Sequence, residues 1–484
     1  MNKGTGLSYV LERLFSDIQA RASREFGVQN PEIRRPPKGQ EATYAVPCFP
    51  YAKKKGKNPF ELAQEVAKRW NQNTGDLIAG FEAVKGYVNV IADQKALLAG
   101  ILADLVGTKE SYGRHPKKER TVVVDYCSPN IAKPLHAGHL RSTIIGQALI
   151  NILKEGGYGV VGINFLSDWG TQFGKLLYAY NRWGKEEEFA KAPIRHLVDI
   201  YVRFHEELKR NPGLDDEARE TFKRLEQGAG EERRLWTRLR QASLASFEKT
   251  VARLGVKFDH NWYESDFEKA AHELIDRLLE QGIAERSEGA VIIKTSDDED
   301  KPPLVARKSD GTTLYASRDL ASAVERIEKW NPSKLLYVVA TEQNLHFTNL
   351  AMALDRMGYT DICKHVRFGM VSLPEGKIST REGRVVYLDE LLDEAERRAE
   401  EIVTGKNPDM PRGKRAEVAR KIGIGSVIYA DLSQDRIKDI TFDWSKMLAF
   451  EGNSAPYLQY AAVRCAKILE KARHEERNPL KQMT

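Results

Sequence analysis

The sequence predicts an α/β protein: a doubly wound parallel sheet, preceded by an α+β unit and followed by a helical segment. Three observations carry that prediction. The β-branched run Thr121–Tyr126, a helix-period stretch from Gly138 to about Glu155, and the apolar run Val160–Phe165 follow one another in β-α-β order. Before residue 112, short strand-like runs mix with amphipathic helices, and from about Arg412 onward only helical periodicity remains. The length of 484 residues suits about three domains at roughly 150 residues each.

In the first unit, Leu7, Val10, Leu11, Leu14, Phe15 and Ile18 recur at helical spacing, and Gly27 offers a C-terminal stop. An extended apolar stretch follows at 41–47. Asn58-Pro59 then opens a helix reaching about Trp70, an N-cap residue before a proline at the first helical position. Residues 78–92 read as two strands around Lys85-Gly86, and a third helix covers about 94–106. The stretch Tyr51–Lys57 reads as a loop with Lys53, Lys54, Lys55 and Lys57 beside Tyr51 and Phe60, which suits RNA or a solvated lysine-rich surface equally. Ser111–Arg120 reads as a linker.

The segment from 121 to 165 forms the β-α-β unit of a Rossmann-like, nucleotide-binding fold, with Gly156-Gly157 ending its helix. Helical, charged sequence fills about 170–285 and reads as an insertion. Strand-like runs return at Ala290–Lys294 and Leu335–Ala340.

Composition narrows the class. With 41% apolar and 30% charged residues, the chain is neither a disordered tail, a collagen nor a disulfide scaffold. No 18-residue apolar run exists, which excludes a transmembrane helix, and Glu12 and Arg13 interrupt the first apolar stretch where a secretory signal would need continuity. Cys48, Cys127, Cys363 and Cys465 lie far apart, so reduced thiols in a cytoplasmic protein are expected, with no metal site. Residues 1–118 carry 19 Lys+Arg against 12 Asp+Glu, so the whole positive excess sits in the first quarter. Such a bias meets phosphate backbones or merely solvates a face.

The strongest chemical signal joins the first strand of the β-α-β unit to its helix: Ser128-Pro-Asn-Ile-Ala-Lys-Pro-Leu-His136-Ala-Gly138-His139. Two histidines three apart face one way near a helix N-terminus, with a glycine between them that leaves room for a ligand. Imidazole N–H groups there suit charge developing on a transferring phosphoryl group, and a pair of capping histidines is the bland alternative.

Residues 128–143, SPNIAKPLHAGHLRST, resemble the "HIGH" signature of class I aminoacyl-tRNA synthetases as arginyl-tRNA synthetases write it. Asn164–Gln172 (NFLSDWGTQ), Tyr315–Asp319 (YASRD) and Glu342–Phe347 (EQNLHF) fit the same family in order. Gly376-Lys377-Ile-Ser379-Thr380-Arg381-Glu-Gly383 resembles the "KMSKS" loop, bracketed by two glycines but with Thr380 and Arg381 in place of the second lysine and its serine. The resemblance implies that Lys133 supplies the missing charge.

It further implies catalytic roles for His136, His139, Lys377 and Lys133, and ATP contacts from Gly138, Gln343, His346, Lys377, Ser379 and the two histidines. Arginine would be held by Asp125, Tyr315 and Asp319 at its guanidinium and by Ser128, Asn130 and Gln343 at its α-amino and carboxylate end, with Asp168 on the far wall. Carboxylates suit a guanidinium fork, and Tyr315 and Asp319 share a helix face at i, i+4. The bland alternatives are an ion pair of Asp319 with Arg318 or Arg326, a loop cap for Asp125 and a helix cap for Asp168. Residues 453–464 resemble the first helix of a helical anticodon-binding domain, with Tyr457 and Tyr460 as tRNA contacts or as core.

The expected division is 1–112, a tRNA-binding α+β domain with Lys53, Lys54 and Lys55; 119–388, a catalytic domain with the insertion and the loop 376–383; and 389–484, a helical stem with an incomplete anticodon-binding domain. The expected partners are ATP with Mg2+, L-arginine and tRNA(Arg), for a monomer without a membrane. A nucleotidyl transferase making a dinucleotide cofactor, or a tRNA-binding scaffold without aminoacylation, are the rival readings.

Overall fold

A computed structural model of the chain describes residues 9–36, 41–131, 133–228, 230–295, 302–373, 376–377 and 387–474. The described residues fall into two compact units divided at Lys118/Glu119, with 155–157 counted in the first.

In the first unit, α1 (Val10–Phe26) buries Val10, Leu14, Ile18, Ala22 and Phe26, a stripe at i, i+4 spacing, and ends at Gly27 with φ 68°. Strands β1 (Tyr44–Pro47), β2 (Ile78–Val84) and β3 (Tyr87–Ala92) form an antiparallel sheet of order β1-β3-β2. Lys85 and Gly86 both take positive φ, 48° and 80°, the hairpin turn whose twist matches the flanking strands. Between β1 and β2, α2 (Pro59–Trp70) starts where the Asn58 side chain accepts the Phe60 N–H at 2.9 Å. The third helix of the unit is α3 (Gln94–Thr108).

One expectation here is corrected. The basic stretch read as a loop is helical, one turn over Phe49–Ala52 followed by a 3-10 turn over Lys53–Lys55. Tyr51 stacks on Phe26 at 4.2 Å and belongs to the core, while Lys53, Lys54, Lys55 and Phe60 stay exposed.

The second unit opens with β4 (Thr121–Asp125), α4 (Ala137–Glu155) and β5 (Gly159–Leu166). Five helices follow: α5 (Thr171–Trp183), α6 (Glu186–Lys191), α7 (Pro193–Arg210), α8 (Leu214–Glu226) and α9 (Gly230–Arg253). The chain then returns to the sheet as β6 (His260–Tyr263), so the helical insertion is shorter than the sequence suggested. A four-residue strand is too short to display a period of two, which is why it reads as part of the helical run. After α10 (Glu268–Glu280) come β7 (Glu285–Ser287), β8 (Ala290–Ile293) and β9 (Leu304–Arg307), a small antiparallel sheet. Then follow α11 (Tyr315–Trp330), β10 (Lys334–Tyr337), α12 (Asn344–Arg356) and β11 (Cys363–His365).

Strands β4, β5, β6, β10 and β11 form one parallel sheet of order β11-β10-β4-β5-β6. The chain leaves β4 toward β5 on one side and later fills the other side with β10. That reversal opens a crevice at the carboxyl ends of β4 and β10, where open α/β sheets bind ligands. Val122 and Val124 pack on one face of the sheet and Val123 on the other, so β4 is buried on both sides as its apolar run requires.

The remaining elements include β12 (Val371–Leu373), β13 (Gly376–Lys377), α13 (Leu388–Lys406), α14 (Arg412–Leu432), β14 (Ile440–Thr441), a single helical turn at Trp444–Met447 and α15 (Ala455–His474). The C-terminal part is therefore not purely helical, because β14 pairs in parallel with β12. No helix among the described residues is long and apolar enough to cross a membrane.

Candidate active site

A cavity of about 430 Å3 opens at the crevice. Asp125 ends β4, Tyr337 ends β10, and the loop after β4 brings Ser128, His136, Gly138 and His139 to the same space. Tyr315 and Asp319 enter from α11, and Gln343 from the turn before α12. The sequence-predicted residues thus converge in large part on one cavity.

The loop leaves β4 through two consecutive residues with positive φ, Cys127 at 71° and Ser128 at 43°. Neither is glycine, so this backbone is strained, and surrounding bonds hold it. The Ser142 hydroxyl of α4 accepts the Cys127 N–H at 2.9 Å and donates to the Val338 carbonyl at 2.6 Å, tying the turn to β10. The Asn164 side chain accepts the Ser128 N–H at 3.2 Å.

The histidines are a matched pair of hydrogen-bonded rings 4.0 Å apart. His136 Nδ1 accepts the Gly138 N–H, and His139 Nδ1 accepts the His136 N–H, each at 3.1 Å. With Nδ1 used as acceptor on both rings, the ring proton belongs on Nε2, leaving two neutral donors. Burial pushes His136 down to about 4 and His139 to about 3, and the nearby charge of Lys133 adds to both shifts. Gly138 lines the cavity, and a Cβ there would also meet the His136 ring at 2.8 Å.

Three of the carboxylates that border the cavity, Asp125, Asp319 and Glu264, carry a partner. Asp125 Oδ1 accepts the Ser128 hydroxyl at 2.6 Å, and Oδ2 lies 2.7 Å from Arg326. Burial raises the Asp125 carboxyl, opposed by the Arg326 charge. Asp319 pairs with His346 Nε2 at 2.7 Å, and neither Arg318 nor Arg326 is its partner. Glu264, one residue after β6, holds Arg318 at 2.7 Å. Tyr315 is 56% exposed at the mouth, its ring 5.0 Å from that of His346.

Several predicted residues stand apart from this cavity. Asn130 and Lys133 line a smaller recess with Gln172 on the outer side of the loop. His346 touches the cavity through Asp319 and is not part of its lining. Asp168 is fully buried, accepting the Ser265 N–H at 2.9 Å and the Ser265 hydroxyl at 2.8 Å, with Arg240 at 3.2 Å. It therefore braces the turn after β5 against α9 and does not line the cavity. Tyr457 and Tyr460 are exposed on α15, at 48% and 53%.

For Lys377 only the backbone is described, paired opposite Ser372. Ser379, Thr380, Arg381 and Gly383 lie outside the described residues. Both flanks of residues 374–386 are at the site: Met370 and Val371 line the cavity, and Tyr387 forms a backbone bridge to His136.

Glu264, Arg326 and Arg141 were not singled out as site residues in the sequence. Arg326 was legible as the continuation of a stripe, since Tyr315, Asp319, Ser322 and Arg326 share one face of α11. Glu264 carries no local signal, because its strand was hidden in the helical run.

The family model for tRNA synthetases class I (R), catalytic domain, matches residues 101–444, and that for the arginyl tRNA synthetase N terminal domain matches residues 10–92. An arginine–tRNA ligase of Clostridium botulinum is 43% identical over 446 residues, 91% of this chain and 78% of the relative. One from Exiguobacterium sibiricum is 41% identical over 445 residues, 92% and 78% respectively. The solved arginyl-tRNA synthetase of Thermus thermophilus superposes with a TM-score of 0.79 at 27% identity, covering 96% of this chain and 82% of that one. With the histidine pair and the acidic pocket on one parallel-sheet crevice, and kinship of this extent, the chain belongs to the arginyl-tRNA synthetase family of class I.

Proposed function

We propose that this chain activates L-arginine with ATP and transfers it to the 3′-terminal adenosine of tRNA(Arg). The observation that carries the reading is the meeting, in one cavity, of two neutral imidazole donors with a carboxylate-rich wall. The first suits a phosphoryl transition state and the second a guanidinium.

In the first step an arginine carboxylate oxygen attacks the α-phosphorus of ATP and pyrophosphate leaves. In the second, a hydroxyl of the terminal adenosine attacks the acyl carbon and AMP leaves. No side chain need be modified, so catalysis is positioning plus electrostatic stabilisation. His136 and His139 donate from Nε2 to the phosphate oxygens, and Lys133 and Lys377 add positive charge as the pyrophosphate departs. Gly138, Gln343 and Ser379 complete the ATP site, and His346 acts on the pocket through Asp319. Asp319, Asp125 and Tyr315 face the guanidinium, while Ser128 and Gln343 take the α-amino and carboxylate end; Asn130, in the neighbouring recess, is left out of that set. Asp168 serves this site as a brace.

Among the described residues no cluster of three or more His, Cys, Asp or Glu is suited to a metal ion. Mg2+ enters the reading as part of the MgATP substrate, held by phosphate oxygens. The basic first unit, through Lys53, Lys54 and Lys55, and Tyr457 and Tyr460 on α15, would contact tRNA. We read the enzyme as a cytoplasmic monomer.

Pyrophosphate exchange into ATP, measured with each amino acid in turn and with tRNA present, tests the reading. Exchange should depend on arginine and fail with citrulline, its uncharged isostere. Exchange driven by another amino acid, or by none, would sink it.

A further inference from the structure

Arg326 is fully buried under the amino-acid pocket, and its guanidinium is not available to solvent or substrate. Its Cζ lies 5.2 Å from the ring centroid of Phe165, 5.4 Å from that of Tyr337 and 5.5 Å from that of Trp262. Its only carboxylate within ion-pair distance among the described residues is Asp125, at 2.7 Å. None of the three guanidinium nitrogens makes a hydrogen bond among the described residues, Nη1 meeting Asp125 as an ion pair only, so ring faces stand where acceptors would be. A planar, weakly hydrated guanidinium tolerates such a cage; a lysine ammonium, with three strongly hydrated donors, does not.

Asp125 needs a fixed cation. It is 4% exposed, and a buried carboxylate without a counter-charge takes up a proton. Asp319 lines the same cavity and its charge disfavours ionisation of Asp125. The other groups around Asp125 do not supply the balance. Ser128 only donates a hydrogen bond, Tyr337 on β10 is neutral because burial raises its phenol, and burial pushes the Cys127 and Cys363 thiols up to about 12. His346 on α12 is engaged by Asp319, and Arg318 by Glu264 and Glu268.

We propose that Arg326 is a positioning residue of the amino-acid pocket, a resident guanidinium that keeps Asp125 ionised while the pocket is empty. A substrate guanidinium entering beside Asp125 and Asp319 then completes an alternating row of charges without having to expel a proton. Arginine capture is thereby uncoupled from pH across the neutral range. The inference deepens the proposed function and rests on arginine being the amino acid bound.

Calorimetric titration of the full chain with arginine, in buffers of different ionisation heat at pH 8, tests it directly. The wild-type protein should exchange no net proton on binding. Arg326→Met should bind arginine more weakly at pH 7, on the order of 10- to 100-fold, and recover about tenfold per pH unit as the pH rises. Its ATP dissociation constant should not change. Asp125→Asn/Arg326→Met should bind arginine weakly at every pH, because the titrating carboxyl is gone. Release of about one proton by the wild-type protein would overturn the proposal. So would a folded Arg326→Met whose loss is the same at all pH values, since that is the signature of a merely structural role. Should Arg326→Met fail to fold, the wild-type proton count alone decides. Failure of the wild-type protein to bind arginine would instead refute the proposed function.

Discussion

In the proposed reaction His136 and His139 act as neutral Nε2 donors, because burial holds both far below the ordinary imidazole range. Their protonation state does not change between pH 6 and 9, so neither should shape the rate profile there. His136→Ala or His139→Ala should slow the activation step by about 2–4 kcal/mol, the size of one lost transition-state donor, with much smaller changes in the Michaelis constants. Single-turnover adenylate formation checks this, and near-normal rates would remove the phosphate role. Asp319 pairs with a histidine, whereas Asp125 and Glu264 pair with permanent guanidinium groups. Asp319→Asn should therefore raise the Michaelis constant for arginine, by about 2–5 kcal/mol, since an amide cannot take both donors of the fork as a carboxylate does. An unchanged constant would leave Asp319 as a partner of His346 alone. At this scale the sequence named most of the residues that converge but not their neighbours. HAGH revealed the histidines, yet the steric reason for Gly138 lies in the ring position of His136. Asp125 was legible at the end of a strand, while its pairing with Arg326 depends on how α11 packs over β4 and β10.

Among elements, α4 is the piece on which the site depends. Arg141, two residues after His139, is 1% exposed and pairs with Asp431 of α14 at 3.1 Å. It also donates to the carbonyls of Gly369, at 2.7 Å, and Lys438, at 2.9 Å. The histidine-bearing helix is thus fastened at one side chain to α14, to the approach to β12 and to the approach to β14. Gly369 must be glycine for this crossing, because a Cβ would lie 2.5 Å from the Lys438 backbone. Arg141→Met leaves Asp431 buried and unpaired and should cost about 3–5 kcal/mol of stability. Chemical denaturation measures that loss, and Arg141→Met/Asp431→Leu should regain a good part of it. The β4-α4-β5 unit was legible because an apolar run, a 3.6-residue period and a glycine pair follow in order. Strands β6 and β14 were not, since four and two residues carry no period and are made strands only by the neighbours they pair with.

Over the whole chain, the charge bias marks residues 1–118, and Lys53, Lys54 and Lys55 lie exposed on a short helical turn rather than a loop. Reversing those three charges should raise the Michaelis constant for tRNA and flatten its salt dependence, by roughly one unit of slope per lost phosphate contact. The constants for ATP and arginine should stay where they are. A tRNA titration indistinguishable from wild type would return the lysines to a solvated surface. The relatives of this chain are longer, since it spans 78% of the Clostridium botulinum and Exiguobacterium sibiricum proteins. The central claim is that one crevice selects a guanidinium side chain and joins its carboxylate to adenosine. Incubating the protein with MgATP, total tRNA and all twenty amino acids together, then weighing the aminoacyl-adenosine released from the tRNA ends by mass spectrometry, tests this most directly. The arginyl ester alone should appear; a different aminoacyl ester, or none, would contradict a guanidinium-selective crevice.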